Sequence, residues 1–154
     1  MCGAPSPHSG NSSAKLERYT DPQRVGVAAD FNGDKVPDVV SANGGGDLSL
    51  FIGMGKGLFQ PAVAIPQGVN PHWVTATDFD RDGALDLAAS DPGSNVVRIL
   101  GGDGKGRFTK QLELPLAVGV RVHVVADFNG DGRPDIAAAG YEGKAISVLL
   151  NTSQ

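Results

Sequence analysis

Residues 127–140 read DFNGDGRPDIAAAG, and two similar segments occur earlier, DFNGDKVPDVVSA from residue 30 and DFDRDGALDLAAS from residue 78. The three copies begin 48 and 49 residues apart in a chain of 154 residues. Repetition at a fixed period of 20 to 50 residues is the signature of propellers, solenoids and other repeat proteins. The period therefore indicates the architecture, and the repeated acidic residues indicate the chemistry.

Short apolar segments surround each acidic loop. One precedes the loop, one follows it, and a third comes after a turn that contains Gly or Asn. The first two copies reach a fourth segment through GMGKGLF and GGDGKGRF. These segments are rich in Val, Ile and Ala and lie between Gly, Pro, Asn and Asp, which predicts β-strands. Four antiparallel strands in about 48 residues match one blade of a β-propeller, so we expect an all-β fold of three blades.

The blades of a propeller close into a ring around a central axis, and known propellers have four to eight blades. Three blades are therefore too few to close a ring on their own. The third copy stops at Gln154, where its fourth strand would begin, and KLERYT at residues 15–20 precedes the first copy. We expect a homodimer with six blades, in which each 15–20 segment completes the last blade of its partner. A fragment of a larger propeller is the alternative. The expected repeats are 21–67, 68–116 and 117–154, in a domain spanning 15–154.

The first 14 residues have the composition of a flexible tail. Cys2 is the only cysteine, which excludes an intrachain disulfide, and it stands before a Gly/Pro/Ser/Asn-rich segment. That arrangement resembles the mature start of a bacterial lipoprotein, so a lipid anchor at Cys2 and an incidental cysteine both stay open. The net charge of −4 gives no basic surface for nucleic acid, and no apolar run is long enough to cross a bilayer.

The acidic loops repeat a pattern of oxygen donors. Counted from the first Asp, positions 1, 3, 5 and 9 carry side-chain oxygens, and the residue at position 7 offers only its backbone carbonyl. We expect these residues to bind three metal ions: Asp30, Asn32, Asp34, Val36 and Asp38 in the first loop; Asp78, Asp80, Asp82, Ala84 and Asp86 in the second; Asp127, Asn129, Asp131, Arg133 and Asp135 in the third.

Calcium is the expected ion. The first half of each loop matches the EF-hand pattern, in which alternate side chains point at one centre and hard oxygen ligands suit Ca²⁺. The Glu that closes an EF-hand at position 12 is missing, and the last carboxylate comes at position 9. Mg²⁺ fits less well because it demands octahedral geometry and keeps its waters. Asx-turns without metal would explain one or two acids per loop, but not four donor positions in three copies. Lys35 replaces the glycine found at position 6 of the other loops, which makes the first site the least regular.

The three Asp-Phe-x-x-Asp phrases, GKGLFQPA and GDGKGRF together resemble the FG-GAP or VCBS repeat family, which forms integrin α-subunit propellers and many bacterial secreted proteins. The resemblance covers about residues 15–151. It implies a Ca²⁺ loop between the first two strands of each blade, an extracellular or cell-envelope location, and a role as a binding or assembly scaffold.

We expect no enzymatic activity, because no catalytic motif occurs and 10 of the 17 acids lie in the metal loops. Adhesion or protein interaction is the first expectation. A calcium-dependent lectin and an accessory domain of a secreted enzyme are the alternatives. Basic residues recur six positions before each first Asp and predict an anion or glycan site, with Tyr141 as a stacking aromatic; they are Arg24, His72 and Arg121.

Overall fold

A computed structural model describes residues 25–43, 46–66, 70–116, 119–140 and 145–153. These residues form strands and turns, without a helix. The strands are β1 (Gly26–Ala29), β2 (Asp38–Ala42), β3 (Asp47–Phe51), β4 (Val63–Pro66), β5 (Trp73–Thr77), β6 (Asp86–Asp91), β7 (Val96–Gly102), β8 (Phe108–Pro115), β9 (Val120–Ala126), β10 (Asp135–Gly140) and β11 (Ile146–Leu149).

The strands form three antiparallel sheets, each following the order of the chain. The first sheet is β1-β2-β3-β4, the second is β5-β6-β7-β8, and the third is β9-β10-β11. Each sheet is thus an up-and-down meander built from one sequence repeat. This confirms the predicted all-β fold of propeller blades. The described part of the third sheet has three strands. The segment expected to complete it, residues 15–20 of a second copy, lies outside the described residues.

Buried and partly exposed side chains alternate along β2 and β3, which gives the first sheet a buried face. In β2, Val40 and Ala42 are buried, and their cross-strand partners in β3, Leu50 and Leu48, are buried as well. Successive side chains of a strand point to opposite faces, so these four residues form one apolar patch. All six residues of β6 are buried, because this strand belongs to the middle sheet and is covered on both faces.

The sheets pack face to face around two apolar cores. The first core joins the first and second sheets and includes Leu48, Leu50, Leu87 and Leu100. The second core joins the second and third sheets through Val97, Ile99, Val120, Ile136 and their neighbours. The first strand of each sheet lies next to its counterpart, since β1 contacts β5 and β5 contacts β9. Blades arranged around a propeller axis have this relation between their innermost strands.

The described part of the chain contains no helix long and apolar enough to cross a membrane. The acidic loops connect β1 to β2, β5 to β6 and β9 to β10. Because the three sheets share one topology, all three loops follow the inner strand of a blade.

Candidate metal centres

The last carboxylate of each acidic loop holds the loop onto its blade. Asp38, Asp86 and Asp135 are buried at the first residue of β2, β6 and β10. In each of them Oδ2 accepts the backbone N–H of the phenylalanine at loop position 2, at 3.0, 2.8 and 2.9 Å. Oδ1 accepts a second backbone N–H 15 or 16 residues further along the chain, at 2.7 to 2.9 Å. Both oxygens therefore anchor the backbone, a structural role that the metal-ligand prediction did not include.

A close backbone approach accompanies this anchor in the first two repeats. The donors to Asp38 and Asp86 are Gly53 and Gly102. A Cβ atom at Gly102 would lie 2.1 Å from the carbonyl oxygen of Leu85, and one at Gly53 would lie 2.3 Å from that of Pro37. Only glycine fits at this distance, so these two residues are required by packing rather than by turn conformation. The third repeat has Asn151 at this position.

Each loop turns through two residues in the left-handed region. Position 6 has φ of 67° at Lys35, 91° at Gly83 and 79° at Gly132, as the sequence suggested for this position. Position 4 is left-handed too, with φ of 64° at Arg81 and 79° at both Gly33 and Gly130. Position 4 was not predicted from the sequence, although glycine in two of the three copies was an available signal.

The second loop brings carboxylates together around one point. Oxygen atoms of Asp78, Asp80 and Asp86 all lie within 4.8 Å of one another. Oδ2 of Asp78 accepts the N–H of Gly83 at 2.9 Å, but Oδ1 is buried without a hydrogen-bond partner. A buried oxygen that lacks a donor is costly, and a cation at this point would satisfy it.

Electrostatics in the second loop also favours a cation. Burial raises the pKa of Asp86, the carboxylates of Asp80 and Asp78 raise it further, and the N–H groups of Gly102 and Phe79 act in the opposite direction. Like charges held this close repel by about 1 to 4 kcal/mol per pair at effective dielectric constants between water and a protein surface. A divalent ion would turn this repulsion into attraction.

The first and third loops satisfy their leading carboxylate internally. Both oxygens of Asp30 accept backbone N–H groups, from Gly33 at 2.7 Å and Lys35 at 2.8 Å among others. Desolvation acts to raise the pKa of Asp30, but these donors outweigh it and lower the pKa. Asp127 accepts the corresponding bonds in the third loop, from Gly130 and Gly132.

The position 3 asparagines are engaged with position 5. The amide Nδ2 of Asn32 donates to Asp34 at 2.9 Å, and that of Asn129 donates to Asp131 at 3.0 Å. The N–H of Arg133 and the Asn129 amide lower the pKa of Asp131. In all three loops the position 7 residue donates its N–H to position 5, at 2.7 to 2.9 Å; these residues are Val36, Ala84 and Arg133. Metal ligation through their carbonyl oxygens stays a prediction.

Contacts between loops join neighbouring blades. The guanidinium of Arg81 in the second loop donates to the carbonyl oxygen of Gly132 in the third. Asn151 at the end of the third sheet donates from Nδ2 to the carbonyl oxygen of Phe79 at 2.9 Å. The acidic loops are therefore part of the blade-to-blade interface, which the sequence alone did not reveal.

Two of the four residues predicted to bind an anion are described. The N–H of His72 donates to the carbonyl oxygen of Ser90 at 3.0 Å, and the hydroxyl of Ser90 donates to the carbonyl oxygen of Arg121 at 3.3 Å. Both residues thus hydrogen bond through their backbones to the same residue of β6. Arg24 and Tyr141 lie outside the described residues, and the predicted anion site stays a prediction.

The comparison with known families agrees with this architecture. The sequence matches the FG-GAP-like repeat at residues 30–89 and 78–138, two overlapping segments that each begin with an acidic loop and together span more than half of the chain. No curated protein sequence matches the chain. Repeats of this family form β-propellers, which serve as interaction modules, and the three sheets described above have that form. The chain belongs to the FG-GAP-like repeat family.

Proposed function

We propose that this chain is a calcium-binding, non-catalytic interaction module that works outside the cytoplasm, with a protein or carbohydrate as its partner. Calcium binding is supported by the geometry of the second loop. Three carboxylates converge there, and Oδ1 of Asp78 is buried without a hydrogen-bond donor. Oxygen donors of this kind are the ligands that Ca²⁺ prefers.

Calcium would be held by the side chains at positions 1, 3, 5 and 9 of each loop. The second loop supplies four carboxylates, and the others supply three and an asparagine. Affinity in calcium loops rises with the number of charged ligands, so the second loop is the tightest site of this proposal. A bound ion would neutralise the acids and hold the loop between the inner strand and its neighbour.

The non-catalytic part of the proposal rests on how the acids are used. Asp38, Asp86 and Asp135 are buried and accept two backbone N–H groups each, which suits them to holding a scaffold. Interaction is the usual role of FG-GAP repeats, and they are commonly extracellular. Millimolar extracellular calcium would fill even weak sites of this type.

Calcium titration of the metal-free protein by calorimetry, together with its melting temperature, tests the proposal. We expect binding heats and a higher melting temperature with Ca²⁺, and a smaller effect with the same concentration of Mg²⁺. Asp78→Asn should weaken calcium binding at the second loop by about tenfold or more, which corresponds to at least about 1.4 kcal/mol. The reason is that this change removes one of the four carboxylate charges, at the residue whose Oδ1 is buried without a donor.

Asp47→Asn is the matched control. Asp47 begins β3, at the opposite end of β2 from the acidic loop, and its Oδ1 accepts the Nδ2 amide of Asn43 at 3.1 Å. An asparagine keeps that oxygen and removes one charge, so calcium affinity should stay within about twofold of wild type. Extracellular calcium modules have dissociation constants of about 0.1 to 1 mM. Wild-type protein that gives neither binding heat nor a shift in melting temperature up to about 10 mM Ca²⁺, which is above this range, would overturn the proposal.

A further inference from the structure

The third sheet exposes an apolar face on the side turned away from the second sheet. Val124, Ala137 and Val148 form one row across β9, β10 and β11. Exposed apolar residues continue on both sides of this row. Together they make up the third-sheet face: Val122, Val124, Phe128, Ile146, Val148 and Leu150. A contiguous apolar surface of this kind marks an interaction site.

The first sheet shows what covers such a face. Its corresponding row is Val27, Val40 and Leu50, and this row packs into one core with Leu87 and Leu100 of the second sheet. Within the chain, therefore, the structural equivalent of the third-sheet face is covered by the next blade.

The phenylalanine of the acidic loop shows the same difference. Phe31 is 3% exposed, and its ring packs edge-on against Phe108 of the second sheet, with centroids 5.6 Å apart and an interplanar angle of 74°. The N–H of Gly106 also donates to the carbonyl oxygen of Phe31 at 2.9 Å. Phe128, the equivalent residue of the third loop, is 47% exposed.

The first sheet carries the equivalent of the covering residues. Phe59 pairs with Gly53 across a β-bridge, as Phe108 pairs with Gly102. Gly57 precedes Phe59 by two residues, as Gly106 precedes Phe108. Phe59 is 40% exposed, so it is available to another molecule.

The remainder of this covering surface lies on the face of the first sheet that is turned away from the second sheet. Val39 and Phe51 are cross-strand partners there, in the register that Leu87 and Leu100 occupy in the second sheet. We call Val39, Phe51 and Phe59 the first-sheet face. The chain thus carries both halves of an interface whose intact form exists between its own first and second sheets.

We propose that the third-sheet face docks on the first-sheet face of a second copy of this chain, with Phe128 packing against Phe59 as Phe31 packs against Phe108. Two copies joined head to tail in this way close a ring of six blades. Propellers have four to eight blades; the three sheets of the described residues fall below this range, two copies of them reach six, and three copies exceed it. The arrangement has a two-fold axis, so both contacts are alike and no face stays open.

Sedimentation velocity of the full chain tests this assembly over protein concentrations of about 1 to 100 μM. The buffer contains about 2 mM Ca²⁺, a concentration that fills extracellular calcium modules. The expected mass is that of two 15.8 kDa chains. Ile146→Glu should give a monomer, and because Ile146 is 71% exposed in the single chain, the far-ultraviolet circular dichroism should not change. Val63→Glu is the control. Val63 is an exposed valine of β4 outside both faces, and this variant should stay dimeric.

Mixing two variants tests the head-to-tail arrangement. Phe59→Glu damages the first-sheet face only, and Ile146→Glu damages the third-sheet face only. Each variant alone should be monomeric, whereas an equimolar mixture should associate through its one intact pair of faces. Wild-type monomer across the concentration range, a dimeric Ile146→Glu variant, or a mixture that stays monomeric would each overturn the proposal.

Discussion

Asp38 accepts the backbone N–H of Gly53 through Oδ1 at 2.7 Å, which joins the start of β2 to the chain just beyond the end of β3. Its other oxygen accepts the N–H of Phe31 at 3.0 Å. One buried carboxylate thus connects the acidic loop, the second strand and the end of the third. The same arrangement recurs at Asp86 and Asp135.

Asp38→Asn should destabilise the metal-free protein by about 1 to 3 kcal/mol, because the asparagine amide has one acceptor oxygen and leaves a buried N–H without a partner. Urea unfolding in the presence of a chelator measures this free energy. Asp34→Asn is the control. Asp34 is exposed, an asparagine keeps the oxygen that accepts the N–H of Val36, and the change removes only the exposed hydrogen bond from the Asn32 amide, which water can replace. Equal losses in the two variants would contradict the anchoring role of Asp38.

Lys35 has φ of 67°, a conformation that costs a residue with a Cβ about 1 to 2 kcal/mol. Lys35→Gly should therefore stabilise the metal-free protein by up to about 1 kcal/mol, after the greater entropy of glycine in the unfolded chain is counted. The reverse change, Gly83→Lys at the same position of the second loop, should destabilise it by a similar amount. A Cβ at Gly83 would meet no atom within 4 Å, so the backbone alone sets this effect. Urea unfolding that shows both changes with the same sign would contradict the prediction.

His123 is buried on the third sheet, where its Nε2 is hydrogen bonded to Oγ1 of Thr75 at 2.8 Å. Burial lowers the pKa of His123 from 6.5 to about 4. Between about pH 4 and pH 6.5, therefore, the unfolded chain binds a proton that the folded chain does not. This contribution to the free energy of unfolding is fully present above about pH 6.5 and is lost as the pH falls towards 4. The loss between pH 7.5 and pH 5 should be about 2 kcal/mol.

His123→Val isolates this contribution. Valine is suited to the site, because Val74 occupies the corresponding position of β5 and is buried. Every other titrating group is shared by the two proteins, so the difference between their unfolding free energies should change by about 2 kcal/mol over this pH range. Parallel pH profiles for the wild type and the variant would contradict the assignment.

The strands and the loops were predictable because each follows from local chemistry that the chain repeats three times. Apolar segments such as VVRIL, between turns rich in Gly, Asn and Asp, specify strands. Glycine at position 6 specifies a left-handed turn, and comparison of the copies would have extended this prediction to position 4, including Arg81.

Contacts between distant parts of the chain were not predictable in this way. The sequence shows that Asp86 is acidic and repeated, but not that Gly102 donates a hydrogen bond to it from 16 residues away. The bond from Asn151 to Phe79 spans 72 residues and depends on how two blades face each other. Such relations follow from packing, which local patterns do not encode.

A crystal structure of the protein grown in about 5 mM CaCl₂, with anomalous diffraction to identify the ion, provides the decisive test of calcium binding. We predict an ion in the second loop with carboxylate oxygens of Asp78, Asp80 and Asp86 about 2.3 to 2.6 Å away, the usual Ca²⁺–oxygen distance. An ordered second loop without an anomalous peak among these three carboxylates would contradict the account.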